Sequence, residues 1–587
     1  MTRRSGLIVT DLDDFAPSQV CVNPLVQSKN KESTQITLTL EDLDDNSFNN
    51  GNGIGFEPES ESESEEEEVQ LTLSDCLACS GCITSIESIL VNKQSLYKFI
   101  KVVSDQKQDN KVVIVSLSPQ TRASVATYLN ITPFEAQEKI ANLFVKLGVH
   151  SVYDLSFGRD LYLQGLGEEF LSNCKKIEKI EKDYFEVKKK TQSKVQLNNL
   201  SLLLDDDDEY EDDDEEEELK IKIEQETQSE EKVSKNTFPT FVGNCPAWVC
   251  LAEKRYPELI LPKMSKIMPE QEIMGYLLKK KVAALLSRKE EDIYHVSLMS
   301  CYDKKLEASR EEFGTKTFGF KLVDSVLTSV EVKDLFQFDD IIAKFEKGEM
   351  EKEEMEKKFK KVDPKIDPET YQQILKKNMD NENPETVKQY SNLDYQNKKI
   401  YSMRERGSGG ICEYLYRQMG QLFFNYQKDE IPKINWVNLR GKDFQSLKLK
   451  SKDQKKEIHF IRVYGFKNIQ NLLRKMETDQ ETFHFIEIEA CPHSACLNGG
   501  GQIKIDQIKK KRVQLNAILN AGQIVDKLEE NYFNEKDFVI RLPDLNTEVN
   551  QIFEKYFSNE NFKILKTEYH NRKKDFDKIK NPLELEW

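Results

Sequence analysis

The fold is decided by the stretch Val112-Val-Ile-Val-Ser-Leu117 and by the helix and strand that follow it. Its β-branched residues favour a buried β-strand. The string Thr132-Pro-Phe-Glu135 puts Thr at an N-cap, Pro at the first helical position and Glu three residues on, which predicts a helix that begins with a capping box. Gly148 predicts the end of this helix, and Val149–Leu155 predicts the next strand. Strand, helix and strand at this spacing indicate parallel pairing in an α/β layer.

A second α/β pattern begins at Tyr401. A glycine turn leads into a predicted helix at Ile411–Met419, and Glu457–Tyr464 has the β-branched and apolar content of a strand. A helix at Ile469–Lys475 and a strand at Phe483–Ile488 follow. The sequence therefore predicts an α/β fold on both sides of a long charged middle section.

The chain has 587 residues and a formal net charge of -18, but its acidity is concentrated in two runs. Glu57–Glu68 and Asp205–Glu218 contain no Lys or Arg, and without them the chain would be nearly neutral. Such runs repel themselves and remain solvated. We expect them to be disordered insertions; a docking site for a basic partner is the alternative. A third charged stretch, rich in Lys and Glu, covers residues 345–395 and predicts a helical excursion on the surface.

The first residues lack a long apolar segment, and no apolar run approaches the roughly 18 residues that span a membrane. We therefore expect a soluble intracellular protein that binds neither membranes nor nucleic acid. Thiols remain reduced in that compartment, where clustered cysteines bind metal more often than they form disulfides.

Three cysteines, Cys76, Cys79 and Cys82, follow the spacing C-x2-C-x2-C with small residues between them. This spacing is typical of three corners of an iron–sulfur cubane, and small residues let backbone N–H groups approach the sulfurs. Zinc is the alternative, although zinc sites usually combine two C-x2-C pairs. The spacing leaves the fourth ligand open, and Cys21 is our candidate.

A second set consists of Cys245, Cys301, Cys491 and Cys496, which are far apart in the sequence. Cys245 precedes Pro246, so we expect it at a helix N-terminus, where the helix dipole would lower the pKa of its thiol. Cys301 and Cys491 follow predicted strands, and open α/β sheets place their sites at the carboxyl ends of strands. Taken singly, each could be a buried structural thiol.

The chain resembles a known family in five segments: Ser74–Cys82, Cys245-Pro-Ala-Trp248, Ser300-Cys-Tyr-Asp-Lys-Lys-Leu-Glu-Ala-Ser-Arg310, Gly407-Ser-Gly-Gly410 and Leu497-Asn-Gly-Gly-Gly-Gln502. These segments are similar to the hydrogenase-like cytosolic iron–sulfur assembly factors, also called nuclear prelamin A recognition factor-like proteins. The resemblance implies two [4Fe-4S] clusters. One would lie on Cys21, Cys76, Cys79 and Cys82, and the other would lie between two α/β lobes on Cys245, Cys301, Cys491 and Cys496.

The resemblance implies a two-lobed, iron-only-hydrogenase-like α/β domain with a small N-terminal cluster-binding region. We expect these divisions: 1–29, with one cluster ligand; 30–69, a disordered acidic insertion; 70–110, a ferredoxin-like cluster-binding region; 111–345, lobe one, with a low-complexity insertion at 187–236; 346–400, a charged insertion; 401–510, lobe two; and 511–587, a helical C-terminal region.

The resemblance also implies a role in the maturation of cytosolic and nuclear iron–sulfur proteins, as a link between early scaffold proteins and the late targeting complex. The chain ends in Leu585, Glu586 and Trp587. This tripeptide resembles the signal by which client proteins dock to that complex through a WD40-type subunit. A frayed terminus is the other interpretation. We expect a cytoplasmic protein that could also enter the nucleus.

Two departures from related sequences bear on activity. Most family members have C-x3-C before the glycine run, whereas Cys491-Pro-His-Ser-Ala-Cys496 has one residue more. Either the loop bulges, or one ligand is lost and His493 replaces it. Hydrogenases have a proton-relaying cysteine at the position of Asn244, and an amide does not relay protons at neutral pH. We therefore expect no enzyme activity; a hydrogenase or electron-transfer enzyme and a nuclear lamin-binding scaffold are the alternatives.

Four further features accompany these sites. Lys304 is expected to balance the charge of the cluster or to pair with Glu307. Gly407–Gly410 should permit close packing near the cluster between the lobes. Cys250 and Cys412 lie in apolar helical stretches and should belong to the core.

Overall fold

The computed structural model describes residues 93–106, 109–201, 238–378, 391–403, 407–478, 483–503, 521–557, 564 and 566–573. The predictions for the first cysteine set and for the terminal tripeptide lie outside these residues, and so do those for both acidic runs. The site residues concerned are Cys21, Cys76, Cys79, Cys82, Leu585, Glu586 and Trp587.

The helices are α1 (Leu96–Asp105), α2 (Pro119–Leu129), α3 (Pro133–Lys146), α4 (Ser156–Ser201), α5 (Pro246–Arg255), α6 (Pro257–Ile260), α7 (Glu270–Leu286), α8 (Asp303–Glu307), α9 (Thr315–Phe318), α10 (Ser329–Glu346), α11 (Lys352–Val362), α12 (Pro368–Lys377), α13 (Ile411–Leu422), α14 (Phe466–Thr478), α15 (Ala521–Tyr532) and α16 (Thr547–Tyr556). The strands are β1 (Val112–Leu117), β2 (Ser151–Asp154), β3 (Thr240–Phe241), β4 (Ile293–Met299), β5 (Ser325–Thr328), β6 (Leu393–Asp394), β7 (Lys399–Ser402), β8 (Val437–Asn438), β9 (Phe444–Lys450), β10 (Glu457–Tyr464), β11 (Phe485–Glu489) and β12 (Phe538–Ile540).

The first sheet has the strand order β2-β1-β4-β5, and all of its pairings are parallel. Val115 of β1 lies opposite Val152 on one side and Val296 on the other. The prediction of strand, helix and strand is confirmed. Thr132 caps α3 through the predicted box, in which its N–H donates to Glu135 Oε2 at 2.9 Å and the Glu135 N–H donates back to Thr132 Oγ1 at 3.3 Å.

The second sheet is mixed and has the order β3-β11-β10-β9-β8. β11 runs parallel to both of its neighbours, and β9 is antiparallel to β10 and β8. β3 comes from the stretch assigned by sequence to lobe one, yet it pairs with β11 through Thr240 opposite Phe485. A small third sheet has the order β12-β7-β6.

A continuous apolar core joins the two larger sheets. The Phe170 ring on α4 lies 5.2 Å from that of Phe485 and 6.0 Å from that of Phe460, both in the second sheet. Ile114 of the first sheet belongs to the same buried cluster. Because burial of apolar surface is the main stabilising term, this shared core fixes the relative position of the loops that leave the two sheets.

The stretch predicted as a surface helical excursion is helical in α11 and α12, and most of its Lys and Glu residues are exposed. One face of these helices packs inward, because Phe359 and Tyr371 are completely buried and the Phe359 ring stacks on Phe338 of α10 with 4.5 Å between centroids. Apolar residues with helical spacing among many Lys and Glu residues account for this packed face. In the part of the chain that the structure describes, no helix is both long and apolar enough to cross a bilayer.

Candidate metal centre

Cys245, Cys301 and Cys491 lie just beyond a strand or at a helix start, and Cys496 lies farther along the loop that leaves β11. β4 ends at Met299, two residues before Cys301, and β11 ends at Glu489, two residues before Cys491. Cys245 follows β3 as the N-cap residue of α5, with Pro246 at the first helical position. The predicted placement at the carboxyl ends of strands is confirmed.

Cys245 lies close to the loop that carries Cys491 and Cys496, because the N–H of Ala490, directly before Cys491, donates to Cys245 Sγ at 3.4 Å. Burial raises the pKa of the Cys496 thiol well above its ordinary value, and Glu489, Cys245 and Cys491 raise it further. Lys304 acts in the opposite direction on the same thiol. The second set therefore converges from three separate parts of the chain.

Cys301 joins this group through backbone contacts. The Gly501 N–H donates to the carbonyl oxygen of Ser300 at 3.0 Å. A methyl group on Gly499 would collide with the same carbonyl, and one on Gly407 would collide with the carbonyl of Ser494. Gly499 lets the loop that carries Cys496 pack against the end of β4. Gly407 packs against the same loop at Ser494, so the expected close packing at Gly407 is confirmed.

The loop between Cys491 and Cys496 contains three consecutive residues in the left-handed region: His493 at φ 54°, Ser494 at φ 66° and Ala495 at φ 53°. The extra residue is therefore taken up by a tight turn in a backbone conformation that L-residues rarely adopt. The Ser494 hydroxyl donates to Glu529.

His493 does not face the thiols. Its N–H donates to both carboxylate oxygens of Asp443, at 3.2 and 3.1 Å, and its Nδ1 lies 3.3 Å from Asp443 Oδ2. The structure favours a bulged loop over the alternative in which His493 replaces a cysteine ligand.

A buried lysine lies beside the thiols. Lys304 Nζ donates to the backbone oxygen of Asn244 at 3.0 Å and to both carboxylate oxygens of Glu307 at 3.0 Å. Burial opposes the charge of Lys304, but Glu307, Glu270 and Cys496 outweigh it and raise the pKa of Lys304. The predicted pairing with Glu307 is confirmed, and Lys304 remains a cation inside the pocket.

The protonation of Cys245 differs from the expectation. Burial raises the pKa of the Cys245 thiol, with a further contribution from Glu489, although Ala490 N–H donates to its sulfur at 3.4 Å. The helix N-terminus acts in the expected direction, since the Trp248 N–H lowers the pKa of this thiol, but desolvation of the thiolate outweighs that effect. Only a strong positive charge, such as that of metal ions, would favour a thiolate here.

Two carboxyl groups accept hydrogen bonds from the other thiols. Cys496 Sγ donates to Glu489 Oε2 and Cys301 Sγ donates to Asp303 Oδ2, each at 3.5 Å. Burial raises the pKa of Glu489 to about 8 and that of Asp303 to about 6. Among the described residues, no three His, Cys, Asp or Glu side chains lie close enough to hold a single metal ion.

A cavity of about 350 Å³ lies beside Cys245 and is lined by Gly243, Pro246 and Cys250. Residues 566–573, here called the C-terminal strap, cover one side of it, and Tyr569 OH lies against Gly243 and donates to the Ser265 carbonyl at 3.0 Å. Cys250 is only half-buried, so its assignment to the core is wrong, whereas Cys412 is fully buried as expected.

Glu253 of α5 anchors the strap. This residue is 1% exposed, and its carboxylate accepts from Arg310 Nη2 at 2.7 Å and from the His570 N–H at 2.9 Å. Its carbonyl accepts from the Arg572 N–H at 3.0 Å. The sequence analysis missed the strap because nothing in residues 566–573 marks a contact with a helix more than 300 positions earlier.

Comparison with known proteins identifies the family. The family model described as "Iron only hydrogenase large subunit, C-terminal domain" matches residues 111–184 and 210–500. The chain is 29% identical to the cytosolic Fe-S cluster assembly factor narfl of Xenopus tropicalis, with 99% of each chain covered. It is 30% identical to cytosolic iron-sulfur assembly component 3 of Mus musculus, with 85% of this chain and 84% of the relative covered. The chain belongs to this family of hydrogenase-like cytosolic Fe-S cluster assembly factors.

Solved structures agree on the fold of this family member. An [FeFe]-hydrogenase, HydA1 from Chlamydomonas reinhardtii, matches with a TM-score of 0.52 and 19% identity, over 80% of this chain and 96% of the hydrogenase. The predicted two-lobed, hydrogenase-like α/β fold is confirmed. The strap lies beyond residue 500, where the match to the hydrogenase domain ends.

Proposed function

We propose that this protein acts in cytosolic iron–sulfur protein assembly and carries two [4Fe-4S] clusters. One cluster would be held by Cys245, Cys301, Cys491 and Cys496. The other would be held by Cys21, Cys76, Cys79 and Cys82, which lie outside the described residues. The observation that carries the proposal is the convergence of four thiols from separate parts of the chain in one partly buried pocket, in a member of an assembly-factor family.

The residues of the pocket fit an iron–sulfur cluster in their chemistry. The cysteines supply thiolate ligands, and the cluster, when bound, supplies one-electron redox chemistry or transferable iron and sulfide. The Ala490 N–H is directed at Cys245 Sγ, and hydrogen bonds of this kind tune a cluster. Lys304 offsets the negative charge that four thiolates bring into a buried site. Gly499 and Gly501 leave room for backbone to lie close to a bulky inorganic group.

The thiol protons must leave when iron binds, because thiolates are the ligands. Asp303 already accepts a hydrogen bond from Cys301, so it lies where one of these protons can be received. Glu489 accepts a hydrogen bond from Cys496, but its pKa of about 8 makes it a base only above neutral pH. Four irons per pocket, and about eight per chain, are expected after anaerobic reconstitution. Iron analysis with absorbance spectroscopy tests this, and a chain that retains fewer than about four irons would overturn the proposal.

We propose that the protein is not a hydrogenase. The amide of Asn244 neither loses nor gains a proton at neutral pH, so it cannot relay protons, and its backbone oxygen accepts a hydrogen bond from Lys304. Hydrogen evolution from reduced viologen by the reconstituted protein should remain at the level of the buffer. Sustained turnover would favour the enzyme alternative.

We propose that the protein links early scaffold proteins to the targeting complex, with Leu585, Glu586 and Trp587 docking to the WD40-type subunit. The indole of Trp587, the terminal carboxylate and the side chain of Glu586 form a compact anchor for a pocket with basic groups. Deletion of these three residues should abolish capture by the targeting complex and leave the iron content unchanged. Unchanged capture would contradict the docking role. Such a protein would work in the cytoplasm and, we propose, also in the nucleus, which cell fractionation would test.

A further inference from the structure

A second cavity, of about 530 Å³, lies between α13 and the segment 428–436 of the second lobe. We call it the basic groove, because four cations and one carboxylate line it: Arg417, Lys428, Lys433, Arg462 and Glu413. Its volume is that of a typical ligand site. The imbalance of charge favours an acidic ligand.

The base of the groove is built from buried polar groups. Arg462 is 2% exposed, and its guanidinium carbon lies 3.9 Å from the centroid of the Trp436 ring. Arg462 Nη1 donates to Glu413 Oε1 at 2.6 Å, and Trp436 Nε1 donates to the same oxygen at 3.2 Å. These contacts hold the indole and the guanidinium in a fixed, stacked arrangement.

Two polar atoms of this base lack a partner among the described residues. Arg462 Nε and Glu413 Oε2 are buried, and no hydrogen-bonding atom reaches either of them. Arg462 Nε is a hydrogen-bond donor, and Glu413 Oε2 is an acceptor. Both atoms lie beneath the surface of the groove, so the choice of ligand rests on the exposed charges and on the strand edge at its rim.

The rim of the groove has the features of a sheet edge. β8 is the last strand of the second sheet and pairs only with β9 among the described strands. Two apolar side chains in or next to it are exposed: Val437 at 56% and Leu439 at 48%. An unpaired edge beside exposed apolar residues is a template for the addition of an extended segment.

We propose that the basic groove and β8 dock an extended, acidic segment of a partner protein, with aliphatic or aromatic side chains at alternate positions. The partner strand would pair with β8, its apolar side chains would cover Val437 and Leu439, and its carboxylates would meet Lys428 and Lys433. This site is separate from the cysteine pocket, and it does not depend on a bound cluster.

The test uses the full-length protein and a fluorescein-labelled peptide of alternating Glu and Leu residues with one Trp. Binding is followed by fluorescence anisotropy, with a peptide carrying Lys for Glu as the first control. The variant Lys428→Glu/Lys433→Glu should weaken binding at least roughly tenfold, because two attractive charges become repulsive. The matched control Lys357→Glu/Lys361→Glu places the same change on exposed positions of α11 and should leave the affinity unchanged.

Hydrogen exchange at 436–440 then tests the mode of binding, because an added strand protects edge amides. The proposal is supported if amides 436–440 are protected by the peptide and if binding weakens with added salt. Binding should also be lost in Lys428→Glu/Lys433→Glu but not in the control variant. Equal binding of the Lys peptide, or an equal loss in both variants, would overturn it. Binding that arises only after the run Asp205–Glu218 is neutralised would also overturn it, since that result assigns the groove to the chain's own acidic segment.

Discussion

The two sides of the cysteine pocket are built differently. On one side, β4 ends at Met299 and passes through Cys301 directly into α8, and residues 300–310 all have an ordinary backbone. On the other side, β11 ends at Glu489, and the loop to Cys496 includes three consecutive left-handed residues. Regular secondary structure therefore positions Cys301, whereas packing against the glycine loops and the bonds to Asp443 and Glu529 position Cys496.

The two sides of the pocket should respond to different kinds of substitution. Left-handed residues other than glycine cost free energy and persist only where the surroundings impose them. The side with Cys301 should thus be sensitive to the loss of buried charge, and the side with Cys496 should be sensitive to changes in backbone conformation. Variants on each side can separate sensitivity to buried charge from sensitivity to backbone conformation.

The largest effect is expected on the regular side, from Lys304→Met. The change leaves Glu307 buried without its cation, which costs about 3–5 kcal/mol of the free energy of unfolding. Urea denaturation of the metal-free chain measures this cost. The double variant Lys304→Met/Glu307→Gln should regain part of it.

Lys448→Met is the matched control, because Lys448 pairs with Glu457 at 2.9 Å on the surface. We expect it to cost less than about 1 kcal/mol. If Lys304→Met cost no more than this control, the pair of Lys304 and Glu307 would not stabilise the pocket.

A smaller effect is expected at the strap. Glu253→Gln weakens the bonds to Arg310 and His570 and should cost about 1–3 kcal/mol locally. Amide exchange in residues 566–573 should then rise by roughly tenfold or more. Glu258→Gln is the control, since Glu258 contacts the same strap at Asn571 but is exposed. Equal exchange in the two variants would contradict an anchoring role for Glu253.

The smallest effect on stability is expected when a buried alanine is replaced by glycine, either in the loop before Cys496 or in a helix. Ala495 and Ala136 are both fully buried, but Ala495 has φ 53° and Ala136 lies inside α3. Glycine relieves strain at the first position and weakens the helix at the second. Ala495→Gly should therefore be more stable than Ala136→Gly by at least about 1 kcal/mol in urea denaturation. The opposite order would show that the loop is unstrained.

The regular side of the pocket could be predicted from the sequence, and the other side could not. Cys301 follows strand residues, and Cys245 precedes Pro246 at the start of a helix. These local signals are sufficient to place both cysteines from the sequence. The turn at His493–Ala495 has no such signal, because its shape follows from contacts with Asp443 and Glu529. The burial of Phe359 and Tyr371 and the contact of the strap with Glu253 also depend on distant partners.

The central claim is that both sides of the pocket hold one cluster. The most direct measurement is EPR with iron analysis of the reduced, reconstituted protein, comparing wild type with Cys301→Ser, Cys496→Ser and Cys79→Ser, and with Cys174→Ala as a control. The wild type should give two distinguishable signals. Cys301→Ser and Cys496→Ser should lose the same one, Cys79→Ser should lose the other, and Cys174→Ala should keep both. A Cys496→Ser protein that retains both signals and its full iron content would contradict the account.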